Sequence, residues 1–407
     1  MKAGNVTRLG LAEYNFGGEA LHGVWSTCVN VTGGGQRCPT QFPAPITMGA
    51  AFSKPLWFRM AQATGVEARA LYHANLASDG AAGARSLEGP LGLSFYAPNL
   101  NIARDPRWGR VEEVPSEDPY VNGMYGYYFT RGMQGDDAAA VLNGNGNGNG
   151  NGNGNGNEDR IVAGAAGNGA AGNGAAGLVG NATKKSPYIQ AAVTCKHFAV
   201  YNLELTNGNP QVTRHQFDAV VSKQDLAETY FPPFAACVEA KAAAIMCSYN
   251  AINGIPACLS PLIGSYLRAD LEYDGMIATD CGALRDAWAH HNYTKTPEEA
   301  AALAVKAGVD SNCGSFYTKY IPGLVGDKTV SVAEIDASVT RLLTTRVKLG
   351  LMDDVDGSAG KVPYAGARAA VDVDSAAHRA VALEIAEAGV VLLQNRVPGK
   401  CHVHLGM

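Results

Sequence analysis

The stretch Gly275-Met-Ile-Ala-Thr-Asp-Cys-Gly282 decides the reading of this chain: a strand-length apolar run that stops at a carboxylate, then turns through a cysteine and a glycine. Three other runs have the same form: Leu91-Gly-Leu-Ser-Phe-Tyr-Ala97, Ala191-Ala-Val-Thr-Cys195 and Ala243-Ala-Ile-Met-Cys247. Short, continuously apolar segments of this kind are what parallel strands buried on both faces look like. Each stops abruptly at polar groups. Lys196-His197 follows the run ending at Cys195, Ser248-Tyr249-Asn250 follows Cys247, and Asp280 follows Thr279.

Helical patterns lie between these runs. Thr296-Pro-Glu-Glu299 has the form of a capping box with proline at the first helical position, opening a helix through Ala307. Ser331-Val-Ala-Glu334 is a second such box; it opens a helix expected to bury Ile335, Val339, Leu342 and Leu343 on one face and to stop at Gly350. Strand alternating with helix argues for an α/β fold with a parallel sheet. A (β/α)8 barrel of about 250 residues fits the length and builds its active site at the C-terminal ends of its strands. A flavodoxin-like doubly wound sheet gives a similar pattern.

The 407 residues carry a net charge of -5 and are 46% hydrophobic and 17% charged. That balance argues against nucleic acid or an anionic membrane as partner. No run approaches the roughly 18–20 apolar residues that span a bilayer, and Met1 to Leu11 has no apolar core of a secretory signal. Nine cysteines leave at least one unpaired, and none forms the Cys-x-x-Cys pair of a zinc site. Glycosylation tripeptides start at Asn5, Asn30, Asn181 and Asn292. From Asn143 to Asn157 the chain alternates Asn and Gly, and Gly-Ala-Asn repeats follow to about Gly180. Such a tract (143–183) cannot bury enough apolar surface to offset its ordering entropy, and is expected to be a disordered surface insertion.

Residue chemistry by itself leaves alternatives open. Asp280 at a strand end can attack an anomeric carbon, or it can cap the next helix. Lys196 and His197 can hold hydroxyls by charge-assisted hydrogen bonds, or form a buried structural pair. Arg104-Asp-Pro-Arg-Trp-Gly-Arg110 looks basic, but Glu112, Glu113 and Glu117 follow at once, so local neutralisation is expected rather than a phosphate patch. Cys281 follows Asp280, and Cys313 ends Ala307-Gly-Val-Asp-Ser-Asn312, which reads as the next strand. Adjacent strand ends lie within reach of a disulfide, and two buried thiols are the other possibility.

The motifs Glu19-Ala-Leu-His-Gly23, Phe42-Pro43, Arg104–Arg110, Ser116-Glu-Asp-Pro119, Lys196-His-Phe198, Met246-Cys-Ser-Tyr-Asn250, Asn253-Gly254 and Thr279-Asp-Cys-Gly282, in that order, resemble glycoside hydrolase family 3. The resemblance runs from about Arg8 to Asn395. It implies a (β/α)8 barrel over residues 1–355, with Asp280 as nucleophile and Glu19, Arg110, Lys196, His197 and Tyr249 holding the sugar. Family glucosidases usually carry Trp after the nucleophile; Cys281, like Glu19-Ala-Leu-His22, is similar to the β-xylosidase and α-arabinofuranosidase branch. A Cys281–Cys313 bridge would there reshape the pocket floor in favour of a pentose.

The implied activity is a retaining exo-β-glycosidase acting on xylan-derived oligosaccharides, outside the cell or in its wall, with no metal and no cofactor. A β-glucosidase, an α-arabinofuranosidase and a catalytically impaired sugar-binding remnant are the alternatives. Phe16-Gly17-Gly18 stands where family members usually carry aromatic residues, and the barrel's first unit is expected to be clipped. Residues 356–395, with Gly389-Val-Val-Leu-Leu-Gln-Asn395, look like a linker and the start of a truncated second α/β domain, the usual source of the family's acid/base residue. The tail 396–407 matches nothing.

Overall fold

The computed structural model describes residues 2–31, 35–78, 84–86, 89–142, 187–352, 364 and 366–394. The Asn-Gly and Gly-Ala-Asn tract and the tail 396–407 lie outside them, as does part of the stretch 356–395.

The strands that organise the fold are β1 (Ser94–Phe95), β2 (Ala192–Phe198), β3 (Ala244–Cys247) and β4 (Met276–Thr279). They form one parallel sheet in chain order, with Ala192 beside Ser94, Thr194 beside Ala244 and Ala244 beside Met276. Single parallel bridges extend it on both sides, Gly18 to Phe95 and Ser311 to Ala278. The segment through Ser311 is therefore a neighbour of β4, as its sequence suggested, but it pairs through one bridge and forms no regular strand. Gly18 is a close-approach position: a side chain there would meet the Phe95 ring at 2.7 Å.

The principal helices are α1 (Lys54–Ala77), α2 (Pro119–Met133), α3 (Pro232–Glu239), α4 (Ala283–Ala289), α5 (Pro297–Ala307), α6 (Phe316–Gly326), α7 (Val332–Lys348) and α8 (Ala376–Ala388). Helix α2 connects β1 to β2, and α3 connects β2 to β3, which is the crossover a parallel ladder requires.

The sheet is buried on both faces, and its two faces differ. Val193, Cys195, Ile245, Cys247 and Ile277 pack with the helices in one large core. The alternate residues Ala192, Ala244, Met246, Met276 and Ala278 pack with Tyr14, Phe16 and Leu93 in another. Side chains alternate faces along a strand. Continuing the second set leads along β2 from Ala192 and Thr194 to Lys196, and past the end of β4 from Met276 and Ala278 to Asp280. The apolar pattern that builds the core thus aims these two ionisable groups at one place.

Two helix expectations need correction. The Ser331–Glu334 box closes reciprocally, with Glu334 N donating to Ser331 Oγ and Ser331 N to Glu334 Oε2. At α5 only the Thr296 half forms; the Glu299 carboxylate accepts instead from Lys295 N. On α7, Val339 is 45% exposed, and the buried positions are Ser338, Thr345 and Arg346. Ile335 and Leu342 do pack half-buried against the core, but arginines share the inward side: Arg341 pairs with buried Asp310 at 2.8 Å, and Arg346 donates to Ala12 O while lying over the Tyr14 ring.

Near the other end of the chain, Glu67 in the middle of α1 is fully buried and accepts from Thr40 N, Thr40 Oγ1, Asp374 N and His378 Nδ1 at 2.6–3.0 Å. That carboxylate ties α8 to the body of the fold. The apolar run after α8 forms no regular structure through Gln394, and Leu393 is 91% exposed.

Candidate active site

At the C-terminal edge of the sheet, one cavity of about 200 Å³ is lined by Glu19, Arg110, Lys196, His197, Tyr249, Asp280 and Cys281. Every site residue singled out in the sequence meets there, and Cys313 lies behind it, bonded to Cys281. A wider chamber of about 750 Å³ adjoins it, sharing Glu19, Trp25, Arg110 and Lys196.

Asp280 is placed by backbone. Its N–H donates to Cys247 O at 3.0 Å, which fixes it as the residue that leaves β4, and its Oδ1 accepts from Cys281 N at 2.7 Å. Gly282 then takes φ +90, a left-handed conformation suited to glycine, before α4 begins. Asp280 does not cap that helix, which shows no side-chain cap. Burial raises the pKa of its carboxyl, against the pull of Lys196, the Cys281 N–H, the Tyr249 hydroxyl and Arg110. Its charge is therefore held by donors but poorly hydrated.

Lys196 Nζ lies 2.8 Å from Glu19 Oε2. Burial raises the Glu19 pKa more than that ammonium lowers it. His197 sits with Nε2 3.5 Å from Asp280 Oδ2, and burial, with Arg110, Lys196 and Arg214 nearby, lowers its pKa well below the usual imidazole value. The ring is thus neutral. Arg110 makes a two-pronged bond to Glu113, at 2.7 and 2.5 Å, and lies over the Tyr201 ring. Burial pushes Glu113 up, but Arg110 outweighs it and holds the carboxyl below its ordinary range. Local neutralisation of this cluster is thereby seen directly, and Arg107 is likewise paired with Asp105.

A supporting layer was not foreseen. Arg214 lies over the Tyr249 ring at 4.8 Å, and His215 packs edge-on against the same ring. Among the described residues, His215, Asp286 and His290 have the proximity of a cation site, but each Asp286 oxygen lies 2.6–2.7 Å from an imidazole nitrogen, the spacing of hydrogen bonds. These residues come from loops and α4, so no strand-end pattern marks them. Tyr96, also in the cavity wall, directly follows β1 near the end of the Leu91–Ala97 run, where the strand-end rule applies.

Four disulfides form among the described residues: Cys28–Cys38, Cys195–Cys237, Cys247–Cys258 and Cys281–Cys313. The possibility of two buried thiols at 281 and 313 is thereby overturned. The ninth cysteine, Cys401, lies outside the described residues. No helix among them is long and apolar enough to cross a membrane.

Known proteins are similar to this chain in sequence and fold. Residues 90–345 match the glycosyl hydrolase family 3 N-terminal domain. The chain is 37% identical over 398 residues to a probable β-D-xylosidase 7 of Arabidopsis thaliana, covering 97% of this chain and 44% of that protein. It is 37% identical over 401 residues to a probable exo-1,4-β-xylosidase of Aspergillus clavatus, covering 97% of this chain and 43% of that one. A solved family 3 exo-β-xylosidase in complex with a xylobiose aziridine probe superimposes with a TM-score of 0.73 at 30% identity, over 96% of this chain and 42% of the other. The chain therefore spans less than half the length of these relatives, and it belongs to glycosyl hydrolase family 3.

Proposed function

We propose that this chain is the nucleophile-bearing part of a retaining exo-β-glycosidase, a β-D-xylosidase that releases terminal pentose from xylo-oligosaccharides. The observation that carries this reading is the convergence of Asp280 with Lys196, Glu19, His197, Arg110 and Tyr249 on one small cavity. Asp280 attacks C1 and forms a glycosyl-aspartate, while charged and polar neighbours hold the hydroxyls. The parallel sheet, extended at both edges, is read as part of a (β/α)8 barrel over residues 1–355, followed by a linker and the start of a second domain.

Size supports exo action. The inner cavity has room for one monosaccharide, and the wider chamber sharing Trp25 and Arg110 receives the rest of the chain. Trp25, 56% exposed on the border of both, offers an apolar face to that second sugar. The Cys281–Cys313 bridge under the inner cavity and the similarity to xylosidases support a pentose over a hexose. Four disulfides support an oxidising compartment, outside the cell or in its wall.

A retaining enzyme needs a second carboxyl about 5–5.5 Å from the first. Glu19 is the other carboxylate lining the inner cavity among the described residues, and it is paired with Lys196. That pairing suits a group that positions sugar, and it favours a second reading in which these residues bind sugar while the acid/base lies elsewhere. Without positioned general acid the rate falls by on the order of 10² to 10⁴.

Incubation with a 2-fluoro-xyloside, which forms the glycosyl-enzyme but hydrolyses slowly, tests the assignment. Mass spectrometry is expected to find the label on the peptide containing Asp280. An unlabelled Asp280 peptide would overturn the nucleophile. Xylose binding by calorimetry without aryl-xyloside turnover would select the second reading.

A further inference from the structure

The neutral His197 ring has two nitrogens, and its surroundings decide which one carries the proton. Asn101 supplies the decision. Its Oδ1 accepts from the His197 backbone N–H at 3.1 Å, and its Nδ2 donates to the His197 backbone carbonyl at 2.9 Å. Backbone groups have fixed polarity, so these two bonds fix which end of the amide is oxygen. That same Oδ1 lies 2.9 Å from His197 Nδ1. An amide oxygen only accepts, so Nδ1 must donate, and Nε2 keeps its lone pair.

Asn101 is itself immobilised. Its N–H donates to Asn99 Oδ1, its carbonyl accepts from Asn122 Nδ2 on α2, and it is buried. The His197 ring is braced edge-on against Tyr201 at 5.1 Å. The charged groups around the ring are Arg110, Lys196, Arg214 and Asp280.

We propose that Asn101 is a positioning residue that locks His197 as the Nδ1–H tautomer, so that a lone pair and not an N–H faces Asp280 across the cavity. The opposite tautomer would donate to Asp280 Oδ2 and occupy the oxygen that attacks. In the locked form, Nε2 and an ionised Oδ2 at 3.5 Å are both acceptors, cannot bond to one another, and together face a space that takes a donor such as a sugar hydroxyl. The proton on Nδ1 stands on the hydrogen bonds, and the bare Nε2 on these together with the burial and surrounding cations that keep the ring neutral; its benefit to attack rests on the nucleophile reading above.

The test reads ring nitrogens in the full chain without substrate. Long-range ¹H–¹⁵N spectra of uniformly ¹⁵N-labelled protein at neutral pH, with His197 assigned by difference from His197→Gln, should show a protonated Nδ1 and an unprotonated Nε2. A protonated Nε2, alone or with Nδ1, would overturn the proposal. Asn101→Leu is expected to populate the Nε2–H form and to lower kcat by on the order of 10- to 100-fold, the usual worth of a partner that orients an imidazole. Asn101→Asp keeps the acceptor and should keep Nδ1–H, while its charge raises the His197 pKa. If both variants merely lower Tm and leave the His197 nitrogen pattern of the parent, Asn101 has only a structural role and the proposal falls. Failure of labelling at Asp280 would sink the nucleophile and leave the ring spectrum unaffected, so the two failures are distinguishable.

Discussion

The Lys196 ammonium lies 2.8 Å from Glu19 Oε2, joining two chain segments 177 residues apart at the mouth of the sheet. It is also the strongest charge support for the buried Asp280 carboxylate. On the proposed reading attack requires Asp280 ionised, and burial raises its pKa, so the acid limb of kcat/KM should lie above the ordinary Asp value of about 3.9. Lys196→Met removes the support and should move that limb further up in pH. It should also cost roughly 10- to 100-fold in kcat/KM, the value of a hydrogen bond to a charged group. A pH–rate profile of both proteins checks this; a limb that stays put or moves down would contradict it.

Asp280→Asn is expected to abolish turnover while stabilising the fold. Because the folded-state pKa of Asp280 is raised, its contribution to stability is present below the unfolded pKa and is lost as pH rises through the folded value. At neutral pH the ionised group therefore works against folding. The amide keeps an oxygen for the Cys281 N–H and gains a donor toward the His197 Nε2 lone pair. A gain of about 1 kcal/mol, or roughly 1–3 °C in Tm, is expected at neutral pH and should shrink toward acid. Calorimetric scans at two pH values measure it.

The Cys281–Cys313 bridge closes a 32-residue separation directly beside the carboxylate. Chain entropy alone gives such a loop about 3–4 kcal/mol of stabilisation. The backbone also bonds across it, Gly282 N to Cys313 O and Cys313 N to Thr279 Oγ1. Replacing both cysteines by serine should lower stability by up to about 3–4 kcal/mol in denaturant titrations. Turnover should fall further than that of a Cys28→Ser/Cys38→Ser control, since neither Cys28 nor Cys38 lines the cavity.

Glu67→Gln tests how α8 is held. The carboxylate accepts four bonds, and an amide must turn its NH2 toward one set of donors. Each buried donor left without its acceptor costs about 1–3 kcal/mol. Amide exchange should accelerate first in residues 369–388, because His378 and Asp374 lose their anchor. Uniform acceleration over the chain would point to global unfolding instead.

Much of this was legible in one dimension. Leu91–Ala97, Ala191–Cys195, Ala243–Cys247 and Gly275–Thr279 read as buried parallel strands because burial on both faces demands unbroken apolar runs, and polar residues at their ends must then lie on one edge. Family motifs added Glu19 and Arg110, which no periodicity reveals. On α7, hydrophobic spacing finds the inward Ile335 and Leu342 but wrongly adds Val339 and ignores arginines that bind inward, as Arg341 and Arg346 do.

Sequence alone determined the strand order of the chemistry, the cysteine beside the carboxylate and the capping of α7, since each depends on neighbours along the chain. Tertiary structure decided the rest: that Lys196 meets Glu19, that Cys195 finds Cys237, and that Asn101 sets the His197 ring. Those contacts join residues tens to hundreds of positions apart. Hydrogen-bond direction and burial act through space, so they become readable only once the parallel sheet has brought the segments side by side.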